Sequence, residues 1–458
     1  MSNLKFKSSL DPNFQPLIVE LRDFKKKVSE NKSVPFAICV ERNDGFRYRY
    51  EIAVLEDPKE LETNFRIVER IVKSILWVVG GFKVYVGGLK PLAEKIKEAY
   101  TEDGLRAFDA KFMARVYERP FEVIVTEYDE VPESVHSSIP AGGHLDGCRI
   151  GFDAGGSDRK VSAVIDGEVV YSEEVVWHPK LSEDPEYQYN GILDSFKKAA
   201  SKMPRVDAIG VSSAGIYINN RIMVASLFIK VPEDVFEEKV KDLYIRAAKE
   251  IGDVPLQVAN DGDVTALAGA LELKDTRVLG IAMGTSEAVG YINKDGNLNG
   301  WLSELAFVPV DLNKDAMVDE WSGDYGCGVK YFSQDSVIKL AKPAGIELDE
   351  NLSPAEKLKV VQNLMAENDP RARQIYETIG IYLGYTLPYY AEFYDIKYVL
   401  LLGRVTSGEG GNIMVEKAKE VLKTEFPEFA EIQLLMPDEK SRRVGQSIAA
   451  ASLPQIKK

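Results

Sequence analysis

The stretch Arg149 to Lys160 sets an apolar strand, an aspartate, two glycines and a hydroxyl ahead of a second apolar strand, Val161 to Ile165. A chain written this way folds back on itself as a β-hairpin whose turn, Asp153-Ala154-Gly155-Gly156-Ser157, carries no bulk. Bare backbone N–H groups in such a turn can face an anion, and the adjacent carboxylate can hold a divalent cation. That is the chemistry of a nucleotide phosphate site. The alternative is a tight hairpin using glycine for positive φ, which an isolated Gly-Gly pair would favour.

The 458 residues suggest two or three domains. A formal net charge of −15 argues against a polyanionic partner, so nucleic acid is not expected. Cys39, Cys148 and Cys327 are dispersed and form no CxxC, leaving neither a disulfide framework nor a thiolate zinc set to read. The N-terminus lacks an apolar signal core, and apolar runs such as Ile75 to Val79 are far short of a membrane span. A soluble cytoplasmic protein is expected.

Along the chain, Val34–Val40, a turn at Asn43-Asp44-Gly45 and Tyr48–Val54 form a hairpin. A helix is expected over 58–79, a strand over 82–86, a break at Gly87-Gly88, a helix over 91–100 and a strand over 121–125. Residues 131–147, rich in Pro, Ser, Gly and His, read as a linker. After the Asp153 hairpin come a buried strand over 206–211, a helix over 233–251 with a solvated Lys/Glu face, a strand over 254–258, and Asn260-Asp261 opening a small-residue helix. Strands over 277–282 and 288–292 flank Met283-Gly284-Thr285-Ser286; a helix over 371–394, a strand over 398–402, Gly403 and a helix over 412–422 follow. The segment 184–189 reads as a solvated loop, and the tyrosines from Tyr382 to Tyr394 as a packed helix face. Residues 34–100 and 277–422 share an element order, which suggests a degenerate repeat. The expected domains are an N-terminal α/β domain (1–130), the linker (131–147) and two lobes (148–275 and 276–458).

Three small-residue turns after strands, at Asp153, Gly284 and Gly403, together with Asn260-Asp261 at a helix start, suit a cleft that grips a nucleotide. A carboxylate at that helix start is held ionised by the helix dipole. In order and spacing these motifs resemble the actin-like, sugar-kinase-like ATPase superfamily, and within it the ROK family (repressor, open reading frame, kinase). Asp153, Gly155, Gly156, Ser157 and Lys160 look like its first phosphate motif, Asn260-Asp261 like its catalytic pair, and Gly284-Thr285 like its second phosphate motif. Ser303 to Val310 is similar to the segment whose glutamate, here Glu304, contacts the sugar, and Gly403 falls in the adenine-site turn. The resemblance spans roughly 148–453.

It implies an α/β, actin-like (ribonuclease H-like) two-lobed ATPase fold with an extra N-terminal α/β domain. It also implies ATP- and Mg²⁺-dependent phosphorylation of a sugar or polyol. Asp261 would be the general base, Asn260 and Glu304 would bind the acceptor, and Asp153 would hold Mg²⁺ through water. The Gly156, Ser157, Gly284 and Thr285 backbones would meet the phosphates. A homodimer is compatible with it. The zinc-site histidine is replaced by Phe307 and only Cys327 remains of its cysteines, so no zinc is expected. Val329, Arg404 and Glu287 also depart from the pattern, with Glu287 expected near the phosphates. These departures leave room for a catalytically weak ligand-sensing or assembly protein that does not turn over ATP. With no basic three-helix pattern in residues 1–130, a DNA-binding repressor is disfavoured.

Overall fold

The computed structural model describes residues 4–456 other than 137, 139, 141 and 438. Its contacts divide the chain into two compact units. Unit 1 comprises Met1–Ser137, Ile281–Val289 and Trp301–Met436; unit 2 comprises Ser138–Gly280, Gly290–Gly300 and Pro437–Lys458. Part of the stretch read as a linker, 137, 139 and 141, lies outside the described residues.

Unit 1 begins with α1 (Leu17–Ser29), β1 (Ser33–Glu41), β2 (Arg47–Leu55), α2 (Leu61–Val79), β3 (Lys83–Gly87), α3 (Lys90–Ala99), α4 (Ala107–Tyr117) and β4 (Glu122–Thr126). The sheet order is β2-β1-β3-β4, with β1 antiparallel to both neighbours and β3 parallel to β4. Phe36 to Val40 are all fully buried, so both faces of β1 are covered, as its unbroken apolar run demands. Helix α4 was not anticipated, since Asp109 and Arg115 interrupt its apolar pattern.

Unit 2 contains β5 (Cys148–Ala154), β6 (Asp158–Ile165), β7 (Glu168–Val176), α5 (Glu186–Ala200), β8 (Ala208–Ser213), β9 (Ile216–Ile218), β10 (Arg221–Val224), α6 (Glu233–Val235), α7 (Leu243–Lys249), β11 (Leu256–Asn260) and α8 (Asp261–Leu273). Its main sheet has the order β11-β8-β5-β6-β7: an antiparallel meander extended by two parallel strands. All six residues of β8 are buried, whereas the edge strand β7 alternates.

Two expectations in this unit are corrected. The loop read over 184–189 ends at Pro185: the Asp184 carboxylate accepts from the Glu186 N–H at 3.0 Å, and α5, from Glu186, buries Gln188, Ile192 and Phe196. The single helix over 233–251 is broken by a wider π-type turn at Phe236–Val240. Phe236, Val240, Leu243 and Tyr244 on either side of that turn are all buried in the core.

The chain continues with β12 (Val278–Met283), β13 (Glu287–Ile292), α9 (Gln334–Ala341), α10 (Pro354–Ala366), α11 (Pro370–Tyr390), β14 (Tyr398–Leu402), α12 (Glu409–Glu425), β15 (Gln433–Leu435) and α13 (Glu439–Ala451). The sheet β13-β12-β14-β15 repeats the order of the N-terminal one, hairpin first and a parallel pair last. Tyr382, Tyr385, Tyr389 and Tyr390 are buried on α11, a packed face. Helix α13 lies on β5 and β8, where Gly151 and Gly210 pair in register. A Cβ on Gly210 would run into the Ala450 carbonyl, so this close approach requires glycine. Among the described residues, no helix is long and apolar enough to cross a membrane.

Candidate functional site

In unit 2 the parallel pairing brings the ends of three strands into line. Ala154 pairs with Ser213, and Ser213 with Asn260. Asp153, Ser212, Ser213 and Asn260 therefore share the carboxyl edge of one sheet, the position where open α/β sheets bind ligands. The Ser212 hydroxyl donates to Asp153 Oδ1 at 2.8 Å. Burial pushes the Asp153 carboxyl up to about 6; the Ser212 bond opposes this, and the charge of Asp261 adds to it. At neutral pH Asp153 is still largely ionised. Its second oxygen does not share the Ser212 bond, which fits a group able to hold Mg²⁺ through water.

Asn260 ends β11 and caps α8: its carboxamide oxygen accepts from the Gly262 N–H at 2.8 Å, and its amide donates to the Gly215 carbonyl at 2.7 Å. Both halves of this side chain are thus committed to holding the strand-to-helix junction. Asp261 occupies the first position of α8, where its Oδ1 accepts from the Gly262 N–H at 3.0 Å. Burial raises its pKa above the usual carboxylate range, against the pull of backbone N–H groups. A carboxylate made more basic at a helix N-terminus suits proton abstraction. Two residues on, burial lifts Asp263 to about 7, and its Oδ1 accepts from the Tyr291 N–H at 3.2 Å.

The first turn differs from the glycine-hairpin alternative in one respect: neither Gly155 nor Gly156 has positive φ. Smallness is used instead, since a Cβ on Gly156 would touch the Lys180 side chain at 3.3 Å. Trp177 fastens the turn, donating from its indole to the Gly155 carbonyl (2.8 Å) and from its backbone to that of Ser157 (3.1 Å). Lys160 pairs across the sheet with Asp153, its ammonium 3.5 Å from Asp158 Oδ1. Lys180, which brings a cation beside Gly156, was not found from sequence because nothing local marks it.

The remaining predicted residues belong to unit 1. Gly284-Thr285-Ser286 closes β12 and β13, with the Gly284 N–H donating to the Ser286 carbonyl at 3.0 Å. Gly403 has φ 94°, and a Cβ there would collide with the Met283 backbone. Only glycine lets the end of β14 pass so close to this turn. Arg404, next in the chain, is exposed and donates from Nη2 to the Thr285 hydroxyl at 3.0 Å. A cleft of ≈ 250 Å³ opens beside it, lined by residues that include Gln362, Tyr376, Ser407, Gly408 and Gly410. Gly408 caps α12, so the start of that helix lines the cleft. Tyr376 is fully buried, with Gln362 beside its hydroxyl.

Glu287, expected near the phosphates, turns its side chain into the core. It is 4% exposed, its Oε1 accepts from the Tyr390 hydroxyl at 3.3 Å, and its Oε2 is unpartnered. Burial pushes its pKa up to about 8, the Tyr390 bond opposing and the Glu304 charge adding, so it is mainly protonated at neutral pH. Placing the turn one residue earlier than Glu287 lets the strand bury it. Cys327 is fully buried, and burial raises its thiol to about 11, against the charge of Lys73.

No protein-family model matches the chain, and no curated protein matches it. Solved structures do. A ROK hexokinase from Thermus thermophilus is 18% identical, with a TM-score of 0.52 over 66% of this chain and 97% of that one. A ROK family transcriptional regulator, a homologue of the E. coli MLC protein, is 15% identical, with a TM-score of 0.53 over 68% and 79%. The chain has the actin-like ATPase fold. About two thirds of the chain shares its fold with these two ROK structures.

Proposed function

We propose that the chain is a ROK-type kinase that transfers the γ-phosphoryl group of ATP to a hydroxyl of a sugar or sugar-like acceptor. The alignment of Asp153, Ser213 and Asn260-Asp261 along one carboxyl edge carries this reading. Asp261 takes the acceptor proton, its basicity raised by burial, and Asn260 holds the helix start that aims it. The Gly155–Ser157 turn and the Thr285 N–H offer donors to the phosphates, and Lys160 and Lys180 add cations at the first turn. Mg²⁺, held through water at Asp153, would neutralise charge on the transferring phosphoryl group. Glu304 binds the acceptor, and the cleft at Tyr376 and Gly408 takes the nucleoside end. The hexokinase with this fold supports the sugar assignment.

Arg404 bears on the alternative of a weak ligand sensor, which the regulator with the same fold supports. Its guanidinium bonds the Thr285 hydroxyl and leaves that turn cationic, which favours a phosphate. A coupled ADP-release screen over hexoses, amino sugars and polyols decides between the two. Turnover that Asp261→Asn reduces by about 10²–10⁴ supports the kinase. Absence of AMPPNP binding by calorimetry overturns it.

A further inference from the structure

Helix α2 belongs to the N-terminal region, outside the run of motifs at 148–453, yet it ends on the segment that bears Glu304. The last carbonyls of a helix have no partner within it. Here those of Val79, Val78 and Trp77 accept from the N–H groups of Leu302 (3.3 Å), Ser303 (2.9 Å) and Glu304 (3.0 Å). Three consecutive amides are therefore locked onto one helix end, and Ser303 is held at φ 51°, a region a non-glycine residue seldom enters. The Trp77 ring stacks on Phe307 at 4.2 Å, fixing the far side of Glu304.

One and two turns earlier the same helix grips a second segment. Lys73 Nζ lies 2.6 Å from Asp324 Oδ2; Arg70 bonds the same oxygen, and Arg106, beside α4, approaches it at 3.0 Å. All four side chains are at most 4% exposed. Asp324 leads into Cys327 and Gly328, and Gly328 backs onto Glu287 Oε2 and the Leu305 carbonyl. Both segments around Glu304 and Glu287 thus hang from α2.

We propose that α2 is a positioning element for the acceptor side of the site, so that the N-terminal region is an integral part of substrate recognition and not a separate module. The proposal rests on the assignment of Glu304 to the acceptor. It acts through Glu304: α2 contributes no side chain to the reaction, and sets where that carboxylate stands.

The test compares Asp324→Asn, Phe307→Leu and Glu304→Gln in the full chain, with Glu62→Gln, on the exposed side of the same helix, as the control. Hydrogen–deuterium exchange should show the amides of 302–304 and 325–328 losing protection at least tenfold in Asp324→Asn or Phe307→Leu. Those of 284–286 and 403–410 should be unchanged, as should all of them in Glu62→Gln. With whichever acceptor the screen finds, Asp324→Asn should raise the acceptor KM tenfold or more, as Glu304→Gln does, while the KM for ATP stays within twofold. Unchanged protection at 302–304 in both loosening variants overturns the proposal. So does protection lost equally across unit 1, which would mark a merely structural role. If no acceptor turns over, the kinase reading falls, and the exchange pattern still decides whether α2 positions these segments.

Discussion

Glu287 and Asp261 are both carboxyl groups raised by burial, with opposite consequences. Asp261 lies at a helix start with N–H groups around it, which keep the ionised form accessible. Glu287 has only a tyrosine hydroxyl, so its proton stays on to about pH 8. An acid whose folded pKa is raised loses its proton first in the unfolded chain, so it lowers stability as pH rises from about 4.5 to 8. Glu287→Gln should accordingly raise Tm more at pH 8 than at pH 5, as read by calorimetry. Arg404 offers a second test. If its guanidinium helps hold phosphate, Arg404→Ala should weaken AMPPNP binding by roughly tenfold or more, in line with loss of a hydrogen bond to a charged group, about 1.5–3 kcal/mol. An unchanged Kd would leave the residue as a support for Thr285 alone.

At the scale of elements, the strand-to-helix junctions carry the site. The Asn260 carboxamide caps α8 with its oxygen and ties it to the Gly215 carbonyl after β8 with its nitrogen, and Asn260→Ala should cost about 1 kcal/mol of stability, measured by urea unfolding. Gly403 is the corresponding point after β14: Gly403→Ala meets both the strain of φ 94° and the Met283 backbone. A loss of about 1–3 kcal/mol from backbone strain alone is expected. Both junctions were legible, since each is a glycine or an Asn-Asp directly after an apolar run. Helices α5, α9 and α10 were not legible. Their buried faces mix polar residues such as Gln188, Gln334 and Ser336 with the apolar ones, which weakens the periodic signal.

Taken as a whole, the molecule should show a stability optimum set by two opposed groups of buried charges. Burial alone would raise Asp324, but Lys73, Arg70 and Arg106 hold it well below the usual carboxylate range. Its contribution is present above about pH 4 and is lost as pH falls further. Glu287 and Asp263 act the other way as pH rises toward 7–8. Tm should therefore peak between these limbs, with Asp324→Asn flattening the acid limb and Glu287→Gln the alkaline one. Removing one partner, as in Lys73→Met, should cost roughly 3–5 kcal/mol because it leaves buried charge unbalanced.

What the sequence determined by itself were the local devices: the small turn after Asp153, the Asn260-Asp261 helix start, the Gly403 break and the long apolar face of α2. Each depends on neighbours a few residues away, where periodicity and turn chemistry operate. Only the tertiary structure decided that Ser212 meets Asp153, that Lys180 comes to Gly156, that Arg404 bonds Thr285 and that α2 ends on Glu304. Those meetings are set by strand register and helix packing between segments 24 to 227 residues apart, the separations of Gly156 from Lys180 and of Trp77 from Glu304. No local pattern encodes them, because the free energy that fixes them comes from burying whole faces of the fold and not from the residues that happen to touch.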